Sequence, residues 1–452
     1  MSSIGDEKMF KFPPLSRSSF AHDERFTSSG VERSSGRMLW ANQLSHSAGY
    51  WVVALALLTN MAFSAVPTPL YVIYQQRDHF SAIGGTIVYA VYAVGVIASL
   101  FLAGHVSDWM GRRRVLVVGL LINVLSALVF LAAPSFDGLI IARIISGFAV
   151  GVTTATATAW MAELHAAAHP GGNARRSQMV AIAANLGGIG VGPLVAGILA
   201  AFVPAPLVVP YLVVGGALLI LTLLVAAAPE TAANINKATP WRAQRIAVPA
   251  HARAQFFAAT GAGFAAFAVY GVFNSLVPSF LLGTLNESSH FIAGAVAFAA
   301  FAAGALAQIA LSRLTLPSML RISVPVLFAG LVLFTLGMWI PSLAIFVIGG
   351  VVTGAGAGLL FRGAMVAAAD ASPVESRGET LAGFFLGAYV GLSLPVIGLG
   401  IATTYAPARN VMLVFVIAVA VMVVATVRSV VGHLVRGDAA IVEATFESST
   451  PS

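Results

Sequence analysis

A few charged side chains interrupt otherwise apolar stretches, and they are the residues most able to do chemistry. They are Asp108, Arg112, Arg143 and Arg362. A charge in an apolar medium costs at least about 2.5–3.5 kcal/mol, so each should face a partner or a polar cavity. Ion pairing and solute binding are the chemistry this permits. The chain lacks a Gly-x-x-x-x-Gly-Lys-Ser/Thr phosphate loop and histidines at metal-ligand spacing. We therefore expect no catalytic residue, no metal site and no cofactor.

The elements that carry these charges are predicted to be membrane helices. Of the 452 residues, 58% are hydrophobic and 9% are charged, whereas a soluble domain has about 25% charged residues. A soluble enzyme is thereby excluded. The net charge of +7 is scattered in short clusters, so no basic patch for nucleic acid is predicted. Cysteine is absent, which excludes disulfides and thiolate metal sites.

A span needs about 20 apolar residues to cross about 30 Å of hydrocarbon. Windows of that length predict twelve spans, or eleven if one pair is misjudged. They are 48–72, 82–106, 113–133, 138–161, 178–202, 207–228, 256–282, 291–311, 322–340, 343–368, 380–402 and 408–431.

The spans fall into two six-helix halves that look related. Arg175–Pro193 and Arg377–Pro395 both begin with Arg and end with Pro at the same spacing, and Gly147/Gly151 and Gly350/Gly354 share a spacing of four. The predicted parts are a disordered cytoplasmic tail at 1–46, a bundle at 47–228, a cytoplasmic linker at 229–255, a second bundle at 256–432 and a cytoplasmic tail at 433–452.

The orientation follows from Lys and Arg, which favour cytoplasmic loops. The loops on the other side carry only Arg77 and Arg409. Both termini are therefore predicted to be cytoplasmic. The loops on the predicted cytoplasmic side carry Arg112, Arg113, Arg114, Arg175, Arg176, Lys237, Arg242, Arg245, Arg253, Arg313, Arg321 and Arg377.

The segment GHVSDWMGRRRVL (Gly104–Leu116) follows the second span. It resembles the G-x-L-a-D-r-x-G-r-[rk] signature of the major facilitator superfamily, with Val106, Ser107 and Trp109 departing from it. The alternative, an ordinary basic loop, explains the arginines but not the Gly-Asp-Gly frame. The resemblance implies twelve helices in two pseudo-symmetric bundles and a cytoplasmic gate. The implied gate residues are Gly104, Asp108, Gly111, Arg112, Glu163 and Arg377, although Glu163 could be only a solvated acid at a helix end.

Two further runs resemble motifs of that superfamily. ARIISGFAVG places Arg143, Gly147 and Gly151 on one face of the fourth helix. By resemblance this arginine takes part in proton coupling; the alternative is an arginine that snorkels to the interface. In GGIGVGPLVAG, the packing residues Gly188, Gly192, Pro193 and Gly197 match a fifth-helix pattern typical of proton-coupled exporters, with close helix packing as the alternative.

The first, fourth, seventh and tenth helices line the cavity in that superfamily. By resemblance, the substrate and coupling pathway contains Asn60, Arg143, Tyr270, Asn274 and Arg362. The polar residues could instead be buried residues that hydrogen-bond within the protein, and Arg362 could extend its side chain to the membrane interface. No Asp or Glu lies at the centre of a predicted span. Proton coupling would therefore use a boundary carboxylate, involve Arg143 indirectly, or be absent.

These observations predict a secondary transporter that moves a small organic molecule across a bacterial-type inner membrane by alternating access. Export by proton antiport is the favoured form. One alternative is an importer or facilitator of a sugar or organic acid, and another is a non-transporting receptor or assembly factor. The expected partners are a small-molecule substrate, protons and the lipid bilayer, without nucleic acid. The protein is predicted to be a monomer.

Overall fold

The computed structural model describes residues 44–103, 106, 110–231, 248–373 and 376–449. Within these ranges it is helical without strands, and twelve helices, numbered α1 to α12, are long and apolar enough to cross a membrane. The all-α fold class and the count of twelve are confirmed. α1 to α6 are His46–Asp78, Ile83–Leu102, Arg112–Ala132, Phe136–Ala168, Ala174–Phe202 and Val209–Ala226. α7 to α12 are Arg253–Ser275, His290–Ala310, Leu316–Trp339, Leu343–Ala369, Arg377–Tyr405 and Ala408–Val435.

Two of the twelve helices are irregular, and proline or glycine explains each case. α1 breaks after Ala65, passes through a 3-10 turn at Thr68–Leu70 and resumes at Tyr71. Pro67 and Pro69 lie at this break, where they cannot donate helical hydrogen bonds. α5 contains a π-helical turn at Ala183–Gly187. Such turns often occur at functional sites.

The surface of the bundle is apolar around its middle, where leucines and valines point away from the protein. Leu125, Leu223, Leu306 and Val414 are 50–68% exposed. Lipid is the natural solvent for these side chains, and helices with internally bonded backbones are stable in it. The chain is therefore a multi-pass integral membrane protein.

The two halves have the same internal packing. In the first half, α1 contacts α4, α5 and α6, while α4 also contacts α2 and α3, and α3 contacts α6. Adding six to each number gives the contacts of the second half: α7 with α10, α11 and α12, α10 with α8 and α9, and α9 with α12. The halves meet through α2 on α11 and through α5 on α8. These two contacts are equivalent, because α2 corresponds to α8 and α5 corresponds to α11.

The sequence pairs Gly147 and Gly151 of α4 with Gly350 and Gly354 of α10, and the helix contacts shift this pairing by one turn. Gly147 lies against the backbone of α2 at Tyr92, and Gly151 lies against Ser99. In α10, the glycines that lie against the α8 backbone are Gly354 and Gly358, whereas Gly350 faces a phenylalanine of α7. Helix contacts therefore identify equivalent positions better than glycine spacing does.

Several predicted boundaries also differ from the structure. α4 extends from Phe136 to Ala168, beyond its predicted end at 161. α7 begins at Arg253, inside the predicted linker 229–255. The last helix continues through the predicted tail to Ser449. We call the side at which α3, α5 and α11 begin the arginine-rich end, and the side that carries Arg77 and Arg409 the opposite end.

Candidate functional site

A network at the arginine-rich end ties the start of α3 to the ends of α4 and α6. Arg112 Nη2 lies 3.1 Å from Glu163 Oε1, and its Nε donates to the same oxygen at 3.2 Å. Thr231 Oγ1 donates to the other oxygen of this carboxylate at 2.5 Å. Glu230 accepts the backbone N–H groups of Arg112 and Arg113 at 3.1 and 3.0 Å. Two charge-assisted bonds at the positive end of a helix hold the first turn of α3 in place.

Gly111 begins this turn with φ of 91°, a backbone conformation that residues with a Cβ rarely adopt. It allows the chain to reverse directly before Arg112. The predicted contact between Arg112 and Glu163 is therefore present. Gly104 and Asp108 lie outside the described residues. The gating role of this set stays a prediction.

A separate network joins the end of α10 to the start of α11 in the second half. Arg377 Nη2 lies 3.8 Å from Asp370 Oδ1, and the hydroxyls of Ser372 and Thr380 are 2.5 Å apart. The ion pair is about half exposed on both sides, so its contribution to stability is about 0–1 kcal/mol. Arg377 thus begins α11, as predicted, and its described ion pair is within its own half.

Arg143 is buried between aromatic rings near the middle of the first half. It is 2% exposed, which excludes the snorkelling alternative. Nη1 donates to the carbonyl oxygen of Ser64 at 2.5 Å, and Cζ lies 5.5 and 4.9 Å from the ring centres of Tyr89 and Tyr92. No carboxylate of the described residues lies within ion-pair distance of it. The ring faces and the carbonyl stabilise the cation in place of an acid.

Three buried polar atoms around Arg143 have no hydrogen-bond partner among the described residues. They are Nε of Arg143 itself and the hydroxyls of Tyr71 and Ser146. Buried polar groups in native proteins are seldom left without partners. This cluster therefore has unused donors available to a solute.

Asn60 lies in a polar network inside the first half. Its Nδ2 donates to Thr153 Oγ1 at 2.7 Å, and its Oδ1 accepts from Asn123 Nδ2 at 2.8 Å. All three side chains are fully buried. These contacts link α1, α3 and α4. In this conformation Asn60 therefore bonds within the protein interior, which is the packing role given as the alternative. Its place in the pathway stays a prediction.

Tyr270 and Asn274 of α7 make different contacts. Tyr270 Oη donates to the carbonyl oxygen of Gly354 at 3.0 Å, and its ring stacks on Phe301 with centres 4.6 Å apart. Asn274 Oδ1 accepts from Thr68 Oγ1 at 3.3 Å. Tyr270 therefore packs within its own half, whereas Asn274 crosses to α1 of the other half.

The small residues of α5 lie in a seam between α1 and α8. Pro193 adds to this seam, because its carbonyl oxygen lies against Gly294 of α8. The absence of a Cβ permits close helix approach on two sides of α5. A Cβ at Gly188, Gly192 or Gly197 would collide with the carbonyl oxygen of Leu58, Ala62 or His290, respectively.

The described hydrogen bonds between halves lie mainly in the middle of the bundle and toward the opposite end. Thr68 bonds Asn274 there, and Ser393 Oγ donates to the carbonyl oxygen of Ala90 at 3.1 Å. At the arginine-rich end, the described bond between halves joins Arg175 to Ser312. In the described part of the chain, hydrogen bonds thus join the halves both away from the arginine-rich end and at it.

Sequence analysis missed two groups of residues. Glu230 and Thr231 belong to the Pro-Glu-Thr that follows α6, and an acid two residues past the predicted span 207–228 was a usable signal. The tyrosines that hold Arg143 come from α2, which resemblance did not assign to the cavity. Tyr389 of α11 lies across the interface from Tyr92, with ring centres 6.4 Å apart. Only the packing of α2 on α11 brings these rings together.

Comparisons with known proteins agree with this architecture. The chain resembles a crystal structure of a mutant of the nucleoside transporter NupG, with a TM-score of 0.69 at 14% identity, over 84% of this chain and 99% of that one. It also resembles a bacterial homologue of the human lysosomal transporter Spinster, with a TM-score of 0.63 at 15% identity, over 88% and 99% of the two chains. At these identities, the likeness concerns the fold.

Sequence comparison gives a shorter match and a longer one. An "Uncharacterized transporter" of Rickettsia bellii (strain RML369-C) is 32% identical over 77 residues, which are 17% of this chain and 19% of that protein. The sequence profile described as "Major Facilitator Superfamily" matches residues 53–324, which is more than half of the chain. With twelve helices in two equivalent halves, this chain belongs to the major facilitator superfamily and is a transporter rather than an enzyme.

Proposed function

We propose that this transporter exports a small organic molecule across a bacterial inner membrane by alternating access, as a monomer coupled to protons. The observation that carries the export proposal is the glycine and proline seam of α5. Its residues match the pattern typical of proton-coupled exporters, and they lie directly between α1 and α8. A seam without side chains lets the two halves close tightly on one side of the cavity.

The same proposal places the arginine-rich end in the cytoplasm. Lys and Arg accumulate in cytoplasmic loops of membrane proteins, and α3, α5 and α11 all begin at this end with arginines in their first turns.

The networks at the arginine-rich end support a gating role. Arg112, Glu163, Glu230 and Thr231 form a cluster within the first half, directly after the loop that carries the superfamily signature. The proposed gate closes when the loop meets the start of α11.

Facilitated transport without protons is the second candidate. The observation that favours it is the position of the carboxylates: in the described part of the chain, Asp and Glu lie in loops, near the ends of the twelve helices, or beyond Val435 in the last one. A proton antiporter usually titrates a buried carboxylate inside the membrane. A facilitator needs none. The two candidates differ in whether substrate movement is accompanied by proton movement.

Inverted membrane vesicles with an acidified lumen separate these candidates. Export by antiport predicts that an added substrate enters the lumen while protons leave it, which a pH-sensitive acridine dye reports as recovered fluorescence. Substrates would be found by a growth-inhibition panel of cells with and without the protein. We expect Arg143→Ala to abolish the proton signal, whereas Arg409→Gln at the opposite end serves as the matched control. Substrate flux with no dye response would support the facilitator and contradict antiport.

The orientation needs a separate test. The natural chain has no cysteine, so a single cysteine in place of Arg113 is a unique label site. The proposal predicts that a membrane-impermeant maleimide labels it in inverted vesicles and leaves it unlabelled in intact cells. Labelling in intact cells would overturn the assignment of the cytoplasmic side.

A further inference from the structure

Two arginines from opposite halves meet at the last turn of α8. Arg175, in the first turn of α5, donates from Nη2 to Ser312 Oγ at 2.5 Å. Arg362 of α10 donates from Nη1 to the carbonyl oxygen of Gln308 at 2.5 Å. Ser312 follows Gln308 by about one helical turn. The result is a cationic pair across the interface between the halves.

The positive charge of this pair is not balanced by a described carboxylate. The ion pairs in the described part of the chain join other residues: Arg77 with Asp78, Arg112 with Glu163 and Arg377 with Asp370. The C-terminus of α8 offsets only about half an elementary charge. Two like charges at this position repel each other, so a bound anion would stabilise their approach.

Both guanidinium groups retain unused donors. A guanidinium has five N–H donors, and one hydrogen bond is described for each of these side chains. Nε of Arg175 is buried without a partner among the described residues. The planar fork of an arginine matches the two oxygens of a carboxylate, and it suits phosphonate and sulfonate groups as well.

Deeper in the bundle, α5 and α8 pack against each other. Leu186 of α5 approaches Gly304 of α8, which lies one helical turn before Gln308. The two arginines therefore lie at the arginine-rich end of a packed seam between α5 and α8.

We propose that Arg175 and Arg362 together bind the oxyanion group of an organic molecule, and that this anion draws the two halves together at the arginine-rich end. The substrate class is thus an amphiphilic organic anion that carries a carboxylate, phosphonate or sulfonate. The assignment of the anion as substrate rests on the proposed transport function. The binding itself does not.

Thermal unfolding of the purified protein tests the binding. A ligand that binds only the folded state raises Tm as its concentration rises, and we call this stabilisation protection. We expect protection by benzoate, phenylphosphonate and benzenesulfonate, and none by uncharged benzamide.

Arginine variants measured in the same assay identify the side chains that bind the anion. Arg175→Gln and Arg362→Gln should each raise the anion concentration needed for protection by about tenfold or more, because each removes one charge-assisted contact. Arg409→Gln is the control, since Arg409 lies at the opposite end over Trp339 at 5.0 Å. If a glutamine variant does not fold, the lysine variant replaces it; it keeps the charge, loses the fork and should weaken protection less.

Protection by benzamide equal to that by benzoate would overturn the anion site. So would protection that survives both arginine changes, or the absence of protection by all three anions. Vesicle flux gives an independent readout. Anion protection without flux would leave the site standing and contradict the transport proposal. Flux of uncharged molecules that both glutamine variants leave unchanged would support transport and contradict the anion site.

Discussion

Glu230 offers the sharpest test of the network at the arginine-rich end, because it was not part of the predicted gate. Its carboxylate accepts two backbone N–H groups at the first turn of α3. In Glu230→Gln, the amide oxygen still accepts one N–H, while the amide NH2 group faces the other donor. A hydrogen bond to a charged group contributes about 1.5–3 kcal/mol. Partial exposure of Glu230 reduces the expected loss in unfolding free energy to about 1–2 kcal/mol.

The assay is thermal unfolding of purified protein, in which this loss corresponds to a fall in Tm of a few degrees. Glu379→Gln is the matched control. Glu379 also lies in the first turn of a helix, α11, and accepts no described hydrogen bond, so its loss should cost less than about 1 kcal/mol. Hydrogen exchange should also become faster at the amides of Arg112 and Arg113 in Glu230→Gln. Equal Tm changes in the two variants, or unchanged exchange in α3, would refute the reasoning.

Three further predictions concern contacts in the first half. Arg112→Gln and Glu163→Gln should each lower stability by about 0.5–1 kcal/mol, and the double variant should lose less than the sum of the two, because both remove the same ion pair; additive losses in thermal unfolding would contradict this pairing. Gly147→Ala places a Cβ against the backbone of α2 and should lower the free energy of unfolding by about 1–3 kcal/mol. The control Gly216→Ala faces open space and should be neutral or stabilising. Similar Tm values for the two variants would argue against close packing of α2 on α4. Asn60→Ala removes two buried hydrogen bonds, to Thr153 and to Asn123, and should cost about 1–3 kcal/mol, which an unchanged Tm would disprove.

Residues close together at a helix end were the most predictable part of the candidate site. Arg112 directly follows Gly111 at the start of a span, and Glu163 lies near the end of the span that packs beside it. The up-and-down order of the helices places both at the same end, and the resemblance to the superfamily signature implied their contact. Glu230, after α6, lies at the same end for the same reason.

Arg143 shows why the remaining site could not be predicted. Its sequence neighbours indicate a charge within an apolar helix, for which a partner acid or a snorkelling geometry are equally reasonable. The structure gives it neither. The rings of Tyr89 and Tyr92 come from another helix, and the close approach at Gly147 brings that helix near enough for them to reach the guanidinium. Such an approach depends on how helices pack, which local hydropathy does not encode.

The sequence by itself determined that the chain crosses a membrane twelve times in two halves and which side carries its arginines. Hydrocarbon accepts only long apolar helices, so these properties follow from composition and order along the chain. The tertiary structure alone decided that Arg175 and Arg362 meet at α8 and that Asn60 is enclosed within the first half. Those contacts join residues more than 50 positions apart. They depend on the distances and rotations between packed helices, for which a single sequence offers many nearly equivalent solutions.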